Sequence, residues 1–143
     1  MRAAARRLGE RLGRRGTALA LLGVGKVCFG LGYLLTPHPN PAGLELLTRF
    51  ADLRCWSLLW VVCGAVTFGS AWLRIGRDRW GFIAALVPPF AWGVAYLWST
   101  VTGDYPRGIA VFGWYATSHI GIILWAASVP EYELPHPARR ERP

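Results

Sequence analysis

Apolar residues in this chain gather in four long runs: Thr17–Leu35, Trp56–Leu73, Trp80–Ser99 and Gly108–Val129. Each run is close to the roughly 20 residues that a helix needs to cross a hydrocarbon core. Between them lie TPHPNPAGLELLTRFADLRC, RIGRDR and TVTGDYPR, and the chain ends on the polar, proline-rich PEYELPHPARRERP. The pattern predicts an all-α fold, an integral membrane four-helix bundle. It divides into a basic cytoplasmic tail over 1–16, a membrane domain over 17–129, and a Pro/Arg-rich cytoplasmic tail over 130–143. The first run is longer than the core of a secretory signal, and LLTPHPNP follows it in place of a small-x-small cleavage site. It reads as a retained anchor.

The first connection carries its own period. In AGLELLTRFADLR, the polar residues Glu45, Thr48, Arg49 and Asp52 recur at i, i+3, i+4 and i+7. That spacing predicts a short amphipathic helix, with Glu45 and Arg49 placed for an ion pair. It is expected to lie flat on the outer leaflet.

Charge orients the bundle. The formal net charge is +8, but the basic residues flank apolar runs and form no single soluble face, so nucleic acid is not expected. Twelve arginines lie in the two tails and the RIGRDR turn, against three in the other connections. This bias puts both termini in the cytoplasm of a bacterial, or infected host, cytoplasmic membrane. Arg6, Arg7, Arg11, Arg14 and Arg15, with Arg74, Arg77 and Arg79, are then the expected contacts to anionic lipid headgroups. Tryptophans at the ends of the runs fit interfacial belts, and none is assigned to a ligand.

One charge breaks the apolar pattern. Lys26 is the only lysine in the chain and stands inside GVGKVCFGLG. Gly16, Gly23 and Gly30 recur every seven residues and form a small-residue face for helix packing. Lys26 is within about 60° of Gly23 around the helix, so it is expected to point into the bundle. No Asp or Glu falls within the four runs, so an ion pair at mid-depth is excluded. The third run contains Pro88-Pro89, and proline crowds the carbonyl four residues earlier. The carbonyls of Ala84 and Ala85 are therefore expected to be freed, and Lys26 to face them. Thr67 and His119 are the other polar candidates at mid-depth. Snorkelling of Lys26 to the headgroups is the simpler alternative.

The three cysteines read as small hydrophobes. No His/Cys spacing suggests a metal site, and no phosphate loop or nucleophile–base motif is present. No cofactor is expected, and the chain does not read as an enzyme.

The text from WSLLWVVCGAVTFGSAWLRIGRDRWGFIAALVPPFAWGVAYLW to GDYPRG resembles small four-helix membrane proteins of actinobacterial phages and prophages. The resemblance spans roughly residues 44–132 and rests on the Trp-rich second run, DRWGF, the proline pair and YPRG. It implies a holin-like protein that forms homo-oligomers in the membrane, with no catalytic residues to transfer. A non-enzymatic anchor or subunit that recruits a larger complex is the second expectation, and a small transporter using Lys26 and His119 the third.

Overall fold

The computed structural model describes the backbone of residues 2–74 and 76–128, and the side chains of the same residues from Leu12 onward. In chain order the helices are α1 (Arg2–Leu35), α2 (Glu45–Thr48), α3 (Leu53–Gly69), α4 (Arg79–Thr102), α5 (Gly108–Trp114) and α6 (Ile122–Ser128). A 3₁₀ turn, Ser70–Trp72, extends α3, and a π-helical segment, Tyr115–Gly121, joins α5 to α6. The described chain is all-helical. Four stretches are long and apolar enough to cross a membrane: Leu12–Leu35, Leu53–Trp72, Arg79–Thr102 and Gly108–Ser128. They coincide with the four apolar runs. Val129, the 130–143 tail and the side chains of Arg6, Arg7 and Arg11 lie outside the described residues.

Gly13 interrupts α1. Its backbone stands at φ 67° and ψ −176°, a region open in practice only to glycine. The basic arm before it and the apolar helix after it therefore run in different directions. Thr17 Oγ1 donates to the Gly13 carbonyl at 2.7 Å and secures the first turn after the break.

The glycine face brings α1 against α3. A Cβ at Gly16 would stand 2.6 Å from the Ala71 carbonyl oxygen. At Gly23 it would stand 2.6 Å from the Phe68 nitrogen, and at Gly30 2.8 Å from the Ser57 carbonyl oxygen. Across the seam, Gly64 packs equally close to the Gly23 carbonyl and Val27. Missing side chains on both helices let the two backbones touch.

Two core clusters fill the bundle. At the end bearing the first connection, Leu44, Leu47 and Leu53 pack with Trp60, Trp92, Ala95 and Tyr115. At the other end, Leu19, Ala71, Phe82, Ala85, Ile123 and Ala126 pack together. The expected surface helix of the first connection is thereby corrected. Only one turn forms, α2, and its Leu47 and the preceding Leu44 are buried in the bundle. The leucines gain more by closing the end of the bundle than by lying on its surface. The Glu45–Arg49 pair is not made either: Glu45 Oε1 accepts the Gly43 N–H at 3.0 Å, and Arg49 is exposed.

At the opposite end, Arg15 ties three elements together. Its Nε donates to Asp78 Oδ2 at 2.7 Å and one terminal nitrogen donates to the Ala127 carbonyl at 2.6 Å. The guanidinium also lies 5.0 Å from the centre of the Phe82 ring. Arg15 is thus not the headgroup contact its sequence position suggested; a buried acid one helix away holds it inside. Arg14, Arg74, Arg77 and Arg79 are exposed, as the headgroup reading requires.

Candidate functional site

Lys26 is placed by the glycine seam. Gly23 and Gly30 lie against α3, and Lys26, three residues after one and four before the other, turns just off that contact. Its side chain is 3% exposed. The ammonium sits 5.0 Å from the centre of the Trp60 ring, within cation–π range. Among the described residues, Nζ has no hydrogen-bond partner. A lysine ammonium carries three donors and no acceptor, so all three are unused in a low-dielectric setting where bare charge is costly.

This corrects the expected partner. Pro88 and Pro89 are buried within α4, which continues unbroken from Arg79 to Thr102. Lys26 makes no hydrogen bond to the carbonyl of Ala84 or Ala85. The glycine face commits α1 to α3, so α1 meets α4 only lightly and the ammonium lies over Trp60. Thr67 is also elsewhere: its buried hydroxyl donates to the Cys63 carbonyl at 2.7 Å and the Gly81 carbonyl at 3.2 Å. It pins α3 to α4 and has its own partners.

Of the expected polar cluster, Lys26 and His119 are the pair brought together. Both line a cavity of about 400 Å³ between α1 and the fourth spanning-length stretch. Its remaining walls are almost wholly apolar and include Leu22, Phe29, Trp60 and Trp125. Leu21 and Trp125, which border it, are 71% and 70% exposed, so the cavity opens through the side of the bundle. Cys63 and His119 are the titratable groups within electrostatic reach of the ammonium.

The π-helical segment shapes the His119 side of this cavity. Seven residues, YATSHIG, take the wider winding. Within it, Thr117 Oγ1 donates to the Gly113 carbonyl at 2.8 Å and Ser118 Oγ to the Trp114 carbonyl. Such back-bonding hydroxyls compete with the ordinary helical pattern. Wide turns of this kind recur at functional sites because they re-aim side chains. His119 Nδ1 lies 3.1 Å from Ser118 Oγ. Because the Ser118 proton goes to Trp114, the network assigns the imidazole hydrogen to Nδ1 and leaves Nε2 as the acceptor of the neutral ring.

Aromatic rings extend from this site toward the first-connection end. Trp60 meets Phe29 at 4.4 Å and Trp92 at 5.4 Å, the latter edge-on. Tyr115 lies 5.1 Å from His119 and 6.1 Å from Tyr96. Trp60 and Trp92 are fully buried, whereas belt anchoring is a surface role. Trp92 stands in the middle of its run, away from both ends, and that position was the available signal; Trp60, one turn from the start of its run, offered none.

No known protein family, curated protein or solved structure matches the chain. The functional reading therefore rests on the residues themselves.

Proposed function

We propose that the chain is an integral protein of the bacterial cytoplasmic membrane, crossing it four times with both termini inside, and that it serves there as a non-enzymatic subunit or anchor, not as a self-assembling pore. The embedding is supported by four apolar helices whose outward faces carry large apolar side chains such as Leu35, Phe90 and Val101. A soluble monomer rarely exposes so much contiguous apolar surface. The orientation is supported by the arginine bias, and by exposed Trp72 and Trp80 at one end with exposed Trp98 at the other.

One observation carries the choice of role. The glycine face, the small-residue surface through which copies of the chain could have packed together, is occupied by α3 of the same chain. Among the described residues, what stays free for association is ordinary lipid-facing surface, while the exposed Arg14, Arg74, Arg77 and Arg79 can meet a partner or anionic lipid. Timed expression in a bacterial host separates the readings. Stable accumulation in the membrane with an undisturbed membrane potential is the expected result. An abrupt collapse of the potential at a fixed time would replace the subunit reading with the holin-like one.

A further inference from the structure

From the cavity beside Lys26 we infer a binding site for a long-chain carboxylate, a single-tailed amphiphile whose anionic head meets the ammonium and whose tail leaves sideways past Leu21 and Trp125. The inference rests on the reading of the chain as membrane-embedded.

Three observations converge. The first is charge. Lys26 is buried, its Nζ lacks a hydrogen-bond partner, and the described spans hold no acid to neutralise it. Trp60 offers the face of its ring, which attracts a cation but accepts no conventional hydrogen bond. The buried acid Asp78 lies at the Arg15 end of the bundle and is engaged by Arg15. A guest with acceptors and one negative charge supplies what the protein omits.

The second is shape. The cavity has the volume of a small-molecule site, apolar walls and two polar side chains, Lys26 and His119. That lining suits a chain with one polar end and rejects a guest polar throughout. Because the cavity opens through the side, a guest dissolved in the hydrocarbon enters without crossing a headgroup layer.

The third is depth. Lys26 lies near the middle of Leu12–Leu35. Phospholipid phosphates stay at the interface, about 15 Å from the bilayer centre. A phosphate could reach Lys26 only by drawing its glycerol and second chain inward, whereas a free fatty acid carries its small head to mid-depth alone. Nζ rests on Trp60, itself a wall of the cavity. Rotation of the flexible lysine stem turns it from the ring to the guest.

The test uses the full chain in nanodiscs of neutral phosphatidylcholine, with 9,10-dibromostearate as a quencher of tryptophan fluorescence. Saturable quenching is expected, displaced by palmitate and unaffected by methyl palmitate or phosphatidylglycerol. Lys26→Met should weaken binding about thirty-fold or more, as loss of one partner of a buried charge pair does. Gly25→Leu provides a second variant that leaves Lys26 in place. Gly25 borders the cavity, and a Cβ there meets no protein atom within 4 Å, so the new side chain fills guest space without straining the fold. It should abolish saturation. Displacement by the methyl ester or by phosphatidylglycerol at the same concentration as palmitate would overturn the inference, as would unchanged binding by Gly25→Leu. Resistance of the chain to alkaline extraction from membranes is scored separately. An embedded protein without saturable quenching loses this inference alone, whereas an extractable one loses the embedding as well.

Discussion

Two glycines on one helix, two residues apart, should respond oppositely to the same methyl group. At Gly23 an added Cβ would lie 2.6–2.7 Å from the Phe68 nitrogen, Cα and Cβ. Two of those three atoms are backbone, so no rotamer change relieves the clash. Ordinary contact requires the helices to part by about 1 Å, and a gap of that size forfeits roughly a quarter to a half of each dispersion contact along the seam. With some tens of atom pairs at about 0.1–0.2 kcal/mol each, Gly23→Ala should cost about 1–3 kcal/mol, the usual range for overpacking. Gly25 faces the other way and a Cβ there meets nothing within 4 Å. Gly25→Ala should be neutral or stabilising by up to about 1 kcal/mol through helix propensity.

The assay is reversible unfolding of each variant in mixed micelles, followed by circular dichroism, with the difference between the two variants as the readout. Equal stability of Gly23→Ala and Gly25→Ala would refute the close approach of α1 to α3. Adding Gly64→Ala sharpens the test. Its Cβ would stand 2.9 Å from the Gly23 carbonyl, in the same seam. Once the first methyl has separated the helices, the second enters space already opened, so the two costs should sum to less than their separate values.

Other outcomes follow from the same contacts. Arg15→Met leaves Asp78, whose side chain is 5% exposed, as a buried acid without its guanidinium, and should cost about 3 kcal/mol in the same unfolding assay. Asp78→Asn combined with Arg15→Met should recover part of that loss. Lys26→Met removes an ammonium with no hydrogen-bond partner and replaces it by an apolar chain of similar volume, so it should raise stability by about 1–4 kcal/mol in guest-free micelles; a loss of stability there would show that the lysine holds the fold together. Cys28 and Cys55 are exposed and Cys63 is buried. In the proposed orientation an impermeant maleimide added outside should label Cys55, at the end of the bundle, a lipid-soluble maleimide should add Cys28, and Cys63 should react only after unfolding, as read by mass spectrometry.

The four helices of spanning length were legible because length and continuous apolarity suffice to predict them. The glycine face was legible for a similar reason: a seven-residue period returns to nearly the same side of a helix. Which helix occupies that face was not, since a period says nothing about the neighbour. That gap explains the mistaken partner for Lys26. Pro88-Pro89 was the visible irregularity, but buried prolines are accommodated in α4 without breaking it. The first connection misled in another way. The periodicity of AGLELLTRFADLR describes an amphipathic segment equally well whether its leucines face lipid or a protein core, and Leu44 and Leu47 take the core. Arg15 looked like its neighbours in an arginine-rich tail. Only the fold brings Asp78 beside it.

The cavity and the seam have one origin. Around α1, Gly16, Gly23 and Gly30 occupy one side, while Ala18 and Gly25 lie nearly opposite. The first set draws α1 onto α3 until backbone meets backbone. The second set, small and turned toward α6, leaves the far side underfilled, and the π-helical winding at Tyr115–Gly121 shapes the wall that carries His119. Lys26 stands at the boundary between the two sides, with its stem against the seam and its head beside the cavity. A charge placed at random in an apolar helix would most easily be tolerated where it can reach water. Here it is buried against Trp60 and placed next to the cavity it shares with His119. Stability alone does not favour that arrangement, because an apolar residue would fill the position at lower cost. The position gains its value when something acidic enters from the side, which is why Gly25→Leu, a change that adds packing and removes no protein contact, is expected to abolish binding.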